Sequence, residues 1–289
     1  MEYFSLQLPD GHATTGLLHT PKQSLGTGER EARPLVVALH GGTYTATYYD
    51  ATPEYSISNI SSQLNIPVIC ITRPGYGSST WPAPTDPNEP YTAQQGRYLH
   101  EVILPAIWKE FGGKNSGTTS LVLHAHSVGA AVALVIAALW SEDSSPAYPL
   151  SGLTISGLGT IIGPRLVKTT SGGRLDKSQD PVTYPDDVRD DLVLDYPDMP
   201  TLTSTSMLQV HGKLNHVLSQ REIADINGTY LKTWKDTASK ISVPHSTTFP
   251  EFDRMWVINE EVVEEFRKAF TKCPRMEARF WRVLRITLS

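Results

Sequence analysis

The run Leu121-Val-Leu-His-Ala-His-Ser-Val-Gly-Ala-Ala-Val-Ala-Leu-Val-Ile-Ala-Ala-Leu-Trp140 sets a single hydroxyl, Ser127, between two segments of different periodicity. Leu121–Leu123 is an apolar strand signal, and the Ala- and Leu-rich stretch after Gly129 is a helix signal. Ser127 therefore falls on the sharp turn between them, written Ala-x-Ser-x-Gly. A residue at such a turn takes strained backbone angles, and strand and helix can meet there only if the residues two before and two after are small. Here those residues are Ala125 and Gly129. The geometry predicts the Ser127 hydroxyl above the carboxyl ends of the strands. It also leaves the Val128 N–H at a helix N-terminus, where it can bind a developing oxyanion. The chemistry such a hydroxyl offers is attack on an acyl carbon. That chemistry needs a second oxyanion donor, a histidine to take the proton and a carboxylate to hold the histidine.

The surrounding elements are those that could position these groups. Tyr3–Leu8 and Thr14–His19, separated by Pro9-Asp-Gly11, predict an opening hairpin. Pro34–Leu39 and Pro67–Thr72 predict buried strands that run into His40-Gly-Gly-Thr43 and Arg73-Pro-Gly-Tyr-Gly-Ser-Ser79. Ala93–Phe111 has helical spacing, Leu150–Ile155 is a further strand, and Glu260–Phe270 a helix before a last strand over Ala278–Ile286. Short apolar strands alternating with helices predict an α/β fold with a mostly parallel sheet flanked by helices. From about Gly163 to Trp234 the texture turns to Gly, Pro, Asp and Ser, yet keeps Leu, Val, Met and Trp, with amphipathic pieces near Val188–Leu194 and Gln220–Trp234. The expectation is a helical cap inserted over 164–235, between a first core part, 1–163, and a last part, 236–289.

A chain of 289 residues can bury a substantial core. A net charge of −5 gives no reason to expect nucleic acid or an anionic membrane surface as partner. The two cysteines, Cys70 and Cys273, lie far apart, and Cys70 sits in the apolar run Pro67–Ile71 as a small core residue. No metal-type cluster is visible, so neither metal nor cofactor is expected. The segment Met1–Gln7 carries no basic-then-apolar leader, and the apolar run Val132–Trp140 stops at Ser141-Glu-Asp, short of a membrane span. The expected compartment is the cytoplasm, with the peroxisome as the alternative if a native terminal signal lies beyond Ser289.

On the Ala125–Gly129 turn, the His40–Thr43 loop and the Arg73–Ser79 loop, the chain resembles the α/β-hydrolase superfamily over nearly its whole length. The resemblance implies that His40-Gly41-Gly42-Thr43 supplies the second oxyanion donor, from Gly42 or Thr43, paired with Val128. In the Thr72–Ser79 loop, Thr72 stands where the family commonly has Asp, and the loop itself reads as a Gly/Pro turn shaping a strand end. His126 reads as a packing residue beside the nucleophile, and His124 as a buried strand histidine. The segment Ser239–Trp256 is similar to the family's penultimate strand and acid loop. This places the acid at Asp253, with Glu251 as a lesser candidate and Pro250 where Gly is usual. The bland reading of Asp253 is a surface carboxylate paired with Arg254.

The family's base follows the last strand, and no histidine follows His245. Three readings stand together. The sequence is an altered or truncated form of one that carries the histidine; the protein is a degenerate hydrolase; or an upstream histidine serves, namely His216, His245 or His211. Asn215 stands where an acid would in the last case, but an amide cannot stabilise an imidazolium as a carboxylate does. The resemblance implies a serine hydrolase acting on an ester, thioester or lactone of a small molecule, against a ligand-binding or partner protein without catalysis. The overall texture is similar to that of fungal hydrolases encoded beside polyketide and toxin biosynthetic genes.

Overall fold

The structure, a computed structural model, describes residues 1–21, 33–83, 86, 88–171, 180–194 and 204–281. Eight strands form one sheet in the order β1-β2-β4-β3-β5-β6-β7-β8. β1 (Glu2–Gln7) and β2 (Ala13–His19) pair antiparallel, as the hairpin signal predicts, and β2 lies antiparallel on β4 (Val68–Thr72). From there the sheet is parallel through β3 (Pro34–Leu39), β5 (Ser120–His126), β6 (Leu150–Ser156), β7 (His245–Pro250) and β8 (Met276–Trp281). Parallel strands end on one edge, so the loops after β3, β5, β6 and β7 gather there. Residues 282–286 of the expected last strand lie outside the described residues.

Helices cover the sheet. α1 (Ile57–Leu64) follows an N-cap at Ser56. Over Tyr91–Phe111 the chain stays helical as α2 (Tyr91–Tyr98), a π turn at Leu99–Ile103 and α3 (Leu104–Phe111). α4 (Val128–Glu142) buries Ala, Val, Leu and Ile on nearly every side and packs at the centre of the main core. Its start lies so close to β3 that a Cβ on Gly129 would sit 2.4 Å from the His40 carbonyl oxygen. This is the close approach for which the sequence needs a glycine at that position. α10 (Glu260–Ala269) starts from Asn259, whose side chain accepts the Val262 N–H.

The stretch expected as a cap divides between two environments. α5 (Pro164–Ser171), α6 (Asp186–Val193), α7 (Thr205–Val210) and α8 (Gln220–Ile226) occur along it. A small apolar cluster joins Leu166, Val182, Tyr184, Val188, Leu192 and Leu218 with Tyr76 of the core. The amphipathic stretch over Gln220–Trp234 is broken at Asn227-Gly228 into α8 and α9 (Thr229–Lys240). α9 belongs to the main core: Tyr230, Trp234 and Ala238 are buried there, and the Trp234 indole stacks on Phe266 of α10. Cys70 is fully buried on β4, as its apolar surroundings predict.

Candidate functional site

Ser127 lies between β5 and α4 with φ 53° and ψ −127°, the left-handed side of the map that L residues avoid. Its own N–H is fixed to the Ser156 carbonyl at 2.9 Å, and its carbonyl accepts from Ala130 at 2.8 Å. The Ser127 hydroxyl has no hydrogen-bond partner among the described residues. Val128 opens α4, so its N–H is one of the helix's unsatisfied first donors and carries the positive end of the helix dipole.

The loop after β3 faces this turn. A Cβ on Gly41 would meet the Ser127 Cβ at 3.0 Å and one on Gly42 the Val128 side chain at 3.5 Å, so loop and turn are in contact. Thr43 takes φ 64°. The orientation of this loop is fixed from behind by Arg73, fully buried at the end of β4. Its Nε donates to the His40 carbonyl at 2.8 Å, its Nη2 to the Gly41 carbonyl at 3.2 Å and its Nη1 to the Gln95 side chain at 2.5 Å. The Arg73 N–H donates to His40 Nε2 at 2.9 Å, so Nδ1 carries the ring hydrogen and donates to the Gly41 carbonyl at 2.7 Å. Burial and the Arg73 charge hold His40 neutral, well below the ordinary imidazole value. In a trans peptide the N–H points opposite to the C=O. Anchoring the Gly41 carbonyl on Arg73 therefore turns the Gly42 N–H the other way, and that N–H has no partner among the described residues.

Arg73 also reaches α8. Its Nη2 pairs with Glu222 Oε1 of α8 at 2.7 Å, and the Tyr76 hydroxyl donates to Oε2 at 2.9 Å; both charged side chains are buried. The Glu222 charge raises the Arg73 pKa against the effect of burial. The Arg73–Ser79 loop is thus more than the strand-end turn its glycines predict. It links the His40–Gly42 carbonyls to α8.

Gly42, Thr43, Ser127 and Val128 line one cavity of about 390 Å³. Most of its wall is apolar: Leu158, Leu192, Leu214, Leu218, Ile223 and Trp256 are among the residues that close it. Its polar groups include His126, Arg189, His211, Glu222 and Asn227, with the hydroxyls of Tyr44, Tyr48 and Tyr184.

The histidines fall in different places. His126 Nδ1 meets the Ser156 hydroxyl at 3.0 Å, its ring stacks on Tyr48 with centroids 5.1 Å apart, and Gly157 leaves room for it. Burial and the neighbouring His124 push its pKa down to about 4. His216 donates its backbone N–H to the Thr43 carbonyl at 2.7 Å, and its Nε2 lies 3.5 Å from the Thr45 hydroxyl; it does not line the Ser127 cavity. His245 is corrected as a candidate base. It begins β7 and pairs with Leu153, which pairs with Leu123 on β5. Positions 123 to 127 then separate it from the serine along the strand, roughly 13 Å at about 3.3 Å per residue. Its ring packs against Phe266 and Phe270, both nitrogens lack partners among the described residues, and burial pushes its pKa down to about 3. Asn215 donates to the Tyr184 carbonyl and to Asp186, so it is held at the start of α6.

Asp253 follows β7 on the same edge of the sheet as Ser127. Its Oδ1 accepts the backbone N–H groups of Met255 and Trp256 at 2.9 and 3.0 Å, and Oδ2 has no partner among the described residues. Burial raises its pKa, opposed by those two hydrogen bonds. Arg254 pairs with Asp191 at 3.7 Å, which sets aside the reading of Asp253 as its surface partner. Asp253 lines a second cleft, of about 450 Å³, shared with His126, Ser156, Thr248 and Trp281. Glu251 donates its N–H to the Trp281 carbonyl on β8.

Three further groups of this region meet in space: Tyr44 and His211, both buried, and the half-exposed Asp190; of these only His211 is among the candidate bases read from the sequence. The Tyr44 hydroxyl meets His211 Nε2 at 2.9 Å, and His211 Nδ1 meets Asp190 Oδ1 at 2.6 Å.

Comparison with known proteins agrees with this architecture. A family model described as the alpha/beta hydrolase family matches residues 36–269. No curated protein matches the sequence. Among solved structures, a hydrolase from Pseudomonas aeruginosa aligns with a TM-score of 0.59 at 13% identity, covering 98% of this chain and 91% of that one. A monoacylglycerol lipase from Paleococcus ferrophilus aligns with a TM-score of 0.56 at 15% identity, covering 86% of both chains. A thioesterase domain from the curacin biosynthetic pathway aligns with a TM-score of 0.55 at 14% identity, covering 98% and 93%.

Proposed function

The chain belongs to the alpha/beta hydrolase family, and from that premise we propose that it is a serine hydrolase cleaving an ester, thioester or lactone through an acyl-enzyme on Ser127. The observation that carries this reading is the Ser127 hydroxyl itself, without a partner among the described residues, on a strained turn at a helix N-terminus, lining a largely apolar cavity of about 390 Å³. Strained backbone of this kind persists where a function uses it, and attack on an acyl carbon is such a use. The oxyanion rests between the Val128 N–H and the Gly42 N–H, with Thr43 closing the loop, and both donors are held before substrate arrives. Asp253 is the acid that the resemblance implies: it follows β7, its Oδ2 has no partner among the described residues, and it lines a cleft of about 450 Å³. The acyl group is apolar and of moderate size, since Leu192, Leu214, Leu218 and Ile223 can enclose a chain and offer few polar partners. The substrate is a small metabolite, of the secondary-metabolite kind that the overall resemblance suggests. Neighbours named as a lipase and a thioesterase keep both ester and thioester in view. No helix among the described residues is long and apolar enough to cross a membrane, and we place the enzyme in the cytoplasm.

A second reading, a ligand-binding protein without turnover, is favoured by one observation: among the described residues no imidazole hydrogen-bonds to Ser127. A fluorophosphonate probe separates the two. Labelling of the wild type and none of Ser127→Ala supports the hydrolase; a folded wild type that resists the probe supports the binder.

A further inference from the structure

The cavity that holds Ser127 is also lined by Tyr44 and His211, which with the half-exposed Asp190 form a carboxylate–imidazole–hydroxyl chain contributed jointly by core and cap. Tyr44 follows the Gly42–Thr43 loop of the core; His211 ends α7, and Asp190 lies on α6. Asp190 Oδ1 lies 2.6 Å from His211 Nδ1, and His211 Nε2 lies 2.9 Å from the Tyr44 hydroxyl. The hydrogen assignment follows. An ionised Asp190 can only accept, so Nδ1 carries the ring hydrogen and Nε2 is left as a bare acceptor for the Tyr44 O–H. The Tyr44 oxygen lone pairs remain, and Tyr44, His211 and Ser127 all line the one cavity. The neighbourhood of His211 also contains Arg189, whose Nη2 donates to the His211 carbonyl, and the carboxylate of Asp186 on the same helix.

We propose that Asp190, His211 and Tyr44 form the proton relay of this active site, with the Tyr44 hydroxyl accepting the Ser127 proton directly or across one cavity water. The proposal rests on the serine-hydrolase reading and names a base for it. In the acylation step the Ser127 oxygen bonds to the acyl carbon and its O–H breaks. That proton goes to the Tyr44 oxygen as the Tyr44 proton passes to Nε2, and the carbonyl electron pair moves onto the oxyanion. On collapse the bond to the leaving oxygen or sulfur breaks, and the leaving atom takes a proton back from Tyr44, itself reprotonated by His211. Water repeats the sequence on the acyl-enzyme and releases Ser127. Tyr44 is the catalytic residue of the relay; His211 and Asp190 are positioning residues that act through it. The arrangement keeps the order of parts that nucleophilic serine chemistry requires, carboxylate to imidazole to hydroxyl, with one hydroxyl added.

Burial and the Arg189 charge lower the His211 pKa against the pull of Asp190 and Asp186, so the ring is a neutral acceptor at neutral pH. The test is the rate of Ser127 labelling by a fluorophosphonate across pH 4 to 9, on the intact chain. In the wild type the rate should rise through one ionisation below the ordinary imidazole value of about 6.5. Tyr44→Phe keeps the ring against Tyr48 and Arg189 but removes the hydroxyl. It should lower the rate about 100-fold and flatten the profile, as loss of a general base does. Asp190→Asn should shift that ionisation and lower the rate about 10-fold or more. Circular dichroism and thermal midpoint confirm that each variant is folded, and a merely structural role for Tyr44 would leave the profile in place. Wild-type rate and profile in both variants overturn the relay, as does a loss confined to Asp253→Asn. A wild type that is folded yet never labelled overturns the hydrolase reading, and the relay with it.

Discussion

At Ser127 the backbone holds φ 53° and ψ −127°, a conformation worth roughly 1–3 kcal/mol of strain for a residue with a Cβ. Two substitutions therefore act oppositely on stability and alike on activity. Ser127→Gly relieves the strain and should be about 1 kcal/mol more stable than Ser127→Ala in denaturant unfolding. Both should lose ester hydrolysis by on the order of 10⁴- to 10⁶-fold, the usual cost of removing a nucleophile. A Ser127→Ala protein that still hydrolyses a short acyl ester at the wild-type rate would place the nucleophile elsewhere. This residue was legible in the sequence because everything that positions it is local: Ala125 and Gly129 flank it, and the periods change on either side. Asp253 was legible only through resemblance. His211 is named from the sequence as one candidate base among three, but its contacts are not legible there, because its partners Asp190 and Tyr44 stand 21 and 167 positions away, and no period or spacing joins them.

The elements around the site are coupled by one buried ion pair. Arg73 of the loop after β4 holds the His40 and Gly41 carbonyls, and Glu222 of α8 holds Arg73. α8 and the His40–Gly42 loop are thus joined through one guanidinium. Removing one partner of a buried pair leaves the other charge uncompensated, at about 3–5 kcal/mol. Glu222→Gln should lower unfolding stability by about that amount and slow Ser127 labelling, because the Gly41–Gly42 peptide loses its fixed orientation. A loss under about 1 kcal/mol would show that the pair does not hold the cap. At this scale the strands were the most legible part, since short buried runs such as Leu35–Leu39 and Val68–Ile71 announce themselves by composition. The helices of the cap were less so. The break at Asn227-Gly228 separates α8, which faces the cavity, from α9, which joins the core, although one amphipathic pattern runs through both.

For the whole molecule, the decisive balance is between buried neutral histidines and protons. His245 sits on β7 against Phe266 and Phe270 with no hydrogen-bond partner among the described residues, and burial lowers its pKa to about 3; burial likewise lowers His126 to about 4. The unfolded chain binds these protons near pH 6.5 and the folded chain does not. Unfolded protein therefore carries more protons between pH 3 and 6.5, and stability rises with pH across that window. The stabilisation is complete above about pH 6.5 and is lost as pH falls towards 3. At pH 5 His245 alone accounts for about 2 kcal/mol of that loss, from 1.5 pH units at about 1.4 kcal/mol each. His245→Leu replaces an unpartnered ring with an apolar side chain in an apolar place, so no hydrogen bond is forfeited. The variant should unfold at lower pH than the wild type and be nearly unchanged at pH 8, measured as thermal midpoint against pH. Because His245 lies at the opposite end of β7 from the serine edge, Ser127 labelling at pH 8 should match the wild type. A collapse of labelling in His245→Leu with the fold intact would return His245 to the list of candidate bases, and an unchanged acid limb would show that its proton is taken up in the folded state.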